Sequence, residues 1–188
     1  MKQALFIIDV QNEYFTGKMP VCYPQKSLDN ILKAMDEAKK KNVPVLVIQH
    51  TSTQPNAKAF VYESDGWQIH PEVAKRPYDL LVEKHLPGSF TETSLESWLR
   101  KHEIDTVVIA GYMTHMCCDT TARQAMHLGY TVYFLSDGTG TLDIKNDAGF
   151  VTAEILHKTI LTVQNSRFSK VISTEDWIKN LMENGING

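Results

Sequence analysis

The sequence predicts an α/β protein: a three-layer α/β/α sandwich around a mainly parallel, doubly wound sheet. Short runs rich in Val, Ile and Leu alternate with segments of helical period, the pattern of successive strand–helix–strand units. Those runs are apolar at consecutive positions, as strands covered on both faces are. At 188 residues, 43% of them hydrophobic, the chain can bury one large core and is short for two. One domain over residues 1–183 is expected, with 184–188 a frayed tail.

Each element has its own signal. Ala4–Asp9 is an apolar run that ends on a carboxylate, the first strand. Ser27 is read as the cap of a helix whose apolar face is Leu28, Ile31, Leu32 and Met35. Pro44–Gln49 is the second strand. From about Thr51 to Pro77 the chain is polar without a strong element, as an active-site or interface loop is. Asp79–Glu83 is a short strand. Thr93 with Glu96 forms a capping box before Leu95, Trp98 and Leu99. Asp105–Ala110 is a buried parallel strand, followed from about His115 by a helical pattern. Thr131–Leu135, a helix near Ala148–His157 and a last strand around Ile160–Val163 follow. Ser173 starts a closing helix with Trp177, Ile178 and Leu181 facing inward.

Composition excludes several classes. A formal net charge of -3 supplies no global attraction to nucleic acid or to an anionic membrane. Lys39–Lys41 closes a helix, where cations suit the dipole. No apolar run approaches the roughly 18 residues of a membrane span. The chain enters a strand pattern at once, without signal-peptide architecture. Three cysteines, two of them adjacent, make no disulfide framework, so a reducing cytoplasm is expected.

Function in such sheets gathers at the carboxyl ends of the strands. Three of those ends carry suggestive residues: Asp9 closes strand one, Lys84 the short third strand, and Cys117 follows strand four. Gly111 permits a tight turn at the strand-to-helix switch, which sets Cys117 in or beside the first helical turn, where the dipole lowers a thiol's pKa. Singly, each has a plain structural reading. Asp9 suits a turn, Lys84 a solvated surface, and Cys117 and Cys118 a small apolar core. Together they put an acid/base, a cation and a thiol on one rim, the requirements of covalent cysteine catalysis.

The chain resembles the isochorismatase-like cysteine hydrolase superfamily, which includes nicotinamidases and N-carbamoylsarcosine amidohydrolases. The resemblance rests on Phe6-Ile7-Ile8-Asp9-Val10-Gln11-Asn12, on Lys84-His85-Leu86-Pro87-Gly88-Ser89-Phe90, and on Gly111-x-x-Thr114-x-x-Cys117-x-x-x-Thr121. It implies a catalytic set of Asp9, Lys84 and Cys117, acting on an amide, ureide or carbamoyl C–N bond of a small molecule through a thioester. It also implies an oxyanion hole from the backbone N–H groups of Met113 and Cys117, a cis peptide between Tyr112 and Met113, and a homo-oligomer with pockets near subunit contacts.

Departures from that pattern narrow the expectation. Nicotinamidases carry a metal-binding Asp-x-His with a further His after the second strand, whereas Gln49-His50-Thr51-Ser52-Thr53-Gln54 offers His50 alone. No metal and no other cofactor are expected, and nicotinamidase activity is disfavoured. Cys117 also argues against a vinyl-ether hydrolase of the true isochorismatase type. Gln11, Phe15, Trp67, His70, Tyr112 and Met116 are candidate substrate contacts, each with an equally plain role in a turn, core or interface. Two other classes remain open: a catalytically idle binder on the same fold, and a thiol redox protein using Cys117 and Cys118. The strain of a disulfide between adjacent cysteines weighs against the second.

Overall fold

The computed structural model describes residues 1–184. Its centre is a six-stranded, all-parallel sheet in the order β3-β2-β1-β4-β5-β8. The strands are β1 (Gln3–Ile8), β2 (Val45–His50), β3 (Leu80–Lys84), β4 (Thr106–Tyr112), β5 (Thr131–Gly140) and β8 (Lys170–Ile172). The short β6 (Ile144–Asn146) and β7 (Gly149–Val151) pair antiparallel in a separate hairpin. The helices are α1 (Ser27–Lys40), α2 (Pro71–Ala74), α3 (Leu95–Lys101), α4 (Asp119–His127), α5 (Ala153–Val163) and α6 (Thr174–Asn184).

The layers follow from the two-residue period of a strand. Leu5, Ile7, Val45, Val47, Val108 and Ala110 face one way, against Ile31 and Met35 of α1 and Trp177 and Ile178 of α6. Ala4, Phe6, Ile8, Leu46, Ile48, Val107 and Ile109 face the other, against Leu95 and Leu99 of α3 and Ala122 and Ala125 of α4. Both faces being covered explains the unbroken apolar runs. The α/β three-layer, doubly wound architecture is as expected.

Several boundaries differ from the sequence reading. Ile160–Val163 is not a strand but the end of α5, and the last strand is β8. Residues 148–151 belong to the hairpin, and α5 begins only after Thr152, whose side chain accepts the Ile155 N–H at 3.4 Å. Ser27 caps nothing: it is the first residue of α1, and its Oγ lies 3.1 Å from the Tyr112 hydroxyl. Only half of the Thr93 box forms. Thr93 Oγ1 accepts from the Leu95 N–H, while Glu96 pairs with Arg100. The expected tail 184–188 begins on Asn184, which still belongs to α6, and otherwise lies outside the described residues.

Candidate active site

The strand order changes direction at β1, with β2 and β3 on one side and β4 and β5 on the other. A crevice opens at the carboxyl edge of such a switch point. Asp9 leaves the end of β1 with φ 51°, a left-handed conformation that Asp tolerates better than most residues and that breaks the strand there. Gly111, paired with Ile8 in the sheet, has φ 120°. A Cβ on Gly111 would lie 2.1 Å from the Ile8 carbonyl oxygen, so only glycine lets β4 approach β1 this closely.

After Tyr112, whose peptide bond to Met113 is cis, the chain makes one π-helical turn, Thr114–Cys118, before α4 starts. Cys117 therefore sits just ahead of the helix and not inside its first turn. The Met113 carbonyl accepts the N–H of Met116 at 3.0 Å and of Cys118 at 3.3 Å, passing over that of Cys117.

Three side chains converge here. Lys84, fully buried at the end of β3, places its ammonium 2.8 Å from Asp9 Oδ2. The same ammonium donates to the Leu86 carbonyl at 3.2 Å and to Cys117 Sγ at 3.4 Å. The Asp9–Lys84 contact is a close ion pair without the angle of a directed hydrogen bond, and both carboxylate oxygens are buried without a donor. The thiol is not activated as its place beside the helix start predicts. Burial pushes the Cys117 pKa up, Asp9 pushes it further, and Lys84 opposes them without prevailing. The dipole argument is local; desolvation and a carboxylate from another strand outweigh it. Burial lowers the Lys84 pKa, but Asp9 and Cys117 more than offset it, so the ammonium is held above its ordinary range. Cys118 is fully buried among the α3–α4 side of the core.

The candidate substrate contacts divide. Gln11 is buried, and its amide is committed: Nε2 donates to the carbonyls of His50 at 2.9 Å and Trp67 at 2.7 Å, and Oε1 accepts the His50 N–H at 2.9 Å. It ties the exit of β1 to β2 and has no donor left for a ligand. Tyr112 is likewise core, 1% exposed and bonded to Ser27. Trp67 donates its indole N–H to Thr51 Oγ1 at 2.7 Å. His70 packs tilted against the Phe15 ring at 4.4 Å and accepts the Glu72 N–H, and burial lowers its pKa. Phe15 also meets the Tyr112 ring at 5.7 Å, and Met116 is exposed. Among the described residues no group of three or more His, Cys, Asp or Glu side chains is placed to hold a metal ion.

His50 pairs in register with Lys84, and its ring packs on Phe60 at 5.2 Å with a buried, unpartnered Nδ1. Burial lowers its pKa, opposed by Asp9. Sequence reasoning missed Tyr14, which is 3% exposed between Phe60 and Tyr112. Burial first, then the charges of Cys117 and Asp9, push its hydroxyl pKa up, so it shares the field of the site. The available signal was its place in the turn just after Asp9.

Fold and site define a class, and comparison with known proteins agrees. An isochorismatase domain matches residues 3–176, and the chain belongs to the isochorismatase family of hydrolases. A provisionally designated isochorismatase from Burkholderia xenovorans LB400 superposes with a TM-score of 0.94 at 44% identity, covering 97% of this chain and 88% of that one. The uncharacterized isochorismatase family protein YddQ of Bacillus subtilis is 32% identical over 95% of this chain and its own full length (100%). Nicotinamidase 3 of Arabidopsis thaliana is 31% identical over 74% of each chain.

Proposed function

We propose that the protein is a cysteine hydrolase that cleaves the C–N bond of a small amide, ureide or carbamoyl compound through a thioester on Cys117. The observation that carries this reading is the Lys84 ammonium held 2.8 Å from Asp9 and 3.4 Å from Cys117 Sγ in a buried setting. A thiol whose pKa is raised keeps its proton at rest, so a base must take it as attack begins. Asp9, whose oxygens accept no directed hydrogen bond and which lies beside the Lys84 ammonium, is that base. Sulfur bonds to the carbonyl carbon, and the oxygen becomes an oxyanion that the N–H groups of Met113 and Cys117 receive. Collapse breaks the C–N bond, and Asp9 returns the proton to the departing nitrogen. Water, deprotonated by Asp9, then adds to the thioester; collapse breaks the C–S bond, the acid leaves, and Asp9 returns its proton to the Cys117 sulfur. Lys84 holds the carboxylate and the developing thiolate together throughout.

The nicotinamide-cleaving relative supports an amide-type substrate, and a metal-free mechanism suits a site where His50 stands without the second histidine of a metal set. We read residues 1–183 as one catalytic domain that acts in the cytoplasm as a homo-oligomer. No helix among the described residues is long and apolar enough to cross a membrane. The test is a panel of primary amides, ureides and carbamoyl compounds scored by ammonia release. At least one should be turned over by the unsubstituted protein and none by Cys117→Ala. Retained turnover in Cys117→Ala would overturn the reading.

A further inference from the structure

We infer that His157 is a positioning residue for the nucleophile, acting through Thr114 to fix the turn that carries Cys117. This rests on the reading of Cys117 as the nucleophile and extends it to a helix that contributes no group to the triad. His157 lies on α5 and is 2% exposed, and Thr114, the first residue of the π-turn, is fully buried. Imidazole Nδ1 is 2.8 Å from Thr114 Oγ1, and Nε2 is 2.8 Å from the carbonyl oxygen of Ser136 in β5.

The direction of both bonds follows from chemistry. A carbonyl can only accept, so Nε2 carries the proton. Burial lowers the imidazole pKa, opposed by the Ser136 bond, which keeps the ring neutral at ordinary pH. Nδ1 is then bare and accepts from the Thr114 hydroxyl. The relay, Thr114 O–H to Nδ1 and Nε2–H to Ser136 C=O, has one donor for each acceptor and a single arrangement. The Tyr23 ring packs against the imidazole at 5.4 Å. His115 adds a parallel tie, its Nδ1 lying 2.8 Å from Thr141 Oγ1. The first two residues of the turn are thus moored to β5 and the segment after it.

An apolar side chain at 157 would fill the same volume without burying an imidazole, but it would leave the Thr114 hydroxyl desolvated and unpaired. What the polar pair adds is orientation. Cys117 Sγ meets Lys84 at 3.4 Å, and a displacement of about 1 Å in such a site can cost on the order of 100-fold in rate.

The test uses the whole protein and iodoacetamide, with alkylation of Cys117 followed by peptide mapping and the exposed Cys22 as internal standard. Thr114→Val removes the hydroxyl at nearly constant volume, Thr114→Ser keeps it, and His157→Phe removes the acceptor. Relative to Cys22, Thr114→Val and His157→Phe should each slow Cys117 about tenfold or more. Thr114→Ser should stay within about twofold, and the double variant should be no slower than either single one, because both act through one bond. Unchanged Cys117 labelling in Thr114→Val, or losses that multiply in the double variant, would overturn the inference. If His157→Phe does not fold, Thr114→Val against Thr114→Ser decides it. Retained amide turnover in Cys117→Ala would instead overturn the nucleophile reading on which it rests.

Discussion

At the residue scale, Lys84 has the most to do and its loss has the clearest consequences. From a fully buried position it pairs with Asp9 and donates to Leu86 and Cys117. Lys84→Met keeps most of the stem but leaves Asp9 as a buried charge without its counter-ion. Removing one partner of a buried pair costs about 3–5 kcal/mol, so urea denaturation should show a loss of that size. The same variant should raise the apparent pKa of Cys117, because Lys84 is the group that opposes burial and Asp9 there. A thiol titration unchanged from wild type would make Lys84 merely structural. Cys118→Ala should keep most of the activity, since that thiol is sealed in the α3–α4 side of the core; its loss alongside intact folding would show that the two thiols were assigned in the wrong order. That Asp9, Lys84 and Cys117 share one edge of the sheet was legible in the sequence because each ends or follows an apolar strand run. The state of the thiol was not. Its field comes from residues on β1 and β3, which no local spacing displays.

At the element scale, the turn between β4 and α4 is built on Gly111. Gly111→Ala would drive a Cβ to 2.1 Å from the Ile8 carbonyl in a left-handed conformation, with backbone on both sides of the clash. Stability should fall by about 3 kcal/mol or more, with the turn that carries Cys117 displaced. A variant as stable as wild type, read by thermal melting, would refute the close approach. Gly111 and its spacing to Thr114 and Cys117 were readable, whereas the π-turn that pushes Cys117 ahead of the helix was not. A π-turn changes the hydrogen bonding of one turn without changing which residues are apolar. The misplaced last strand has a similar origin. Ile160–Val163 is apolar and partly β-branched, and α5 leaves Ile155 exposed, so its helical stripe is blurred. Tertiary packing overrode propensity there.

At the scale of the whole molecule, the switch in strand order brings β1, β3 and β4 ends to one edge, and that is what unites residues far apart in sequence. The fold also buries the His157 imidazole and half-buries three others. His50, His70, His115 and His157 all have pKa values lowered by burial. In the unfolded chain histidine titrates near 6.5, so below that pH the unfolded state binds more protons than the folded one. The stability these neutral rings contribute is present above about pH 6.5 and is lost as pH falls through the window beneath it. The Tm should drop between about pH 7.5 and pH 5.5, and a flat profile would contradict burial of these rings. Light scattering should give a mass above that of the 21.3 kDa monomer if the protein assembles as proposed; the monomer mass at micromolar concentration would remove that part of the proposal. Dialysis against a chelator should leave turnover unchanged, and a loss restored by zinc or iron would show that His50 belongs to a metal site. The most direct measurement is mass spectrometry of protein acid-quenched during turnover of an active amide, followed by peptide mapping. The account predicts an acyl adduct on the Cys117 peptide, absent from the Cys22 site and absent in Cys117→Ala. Turnover with no adduct on Cys117, or an adduct carried by Cys118, would contradict it.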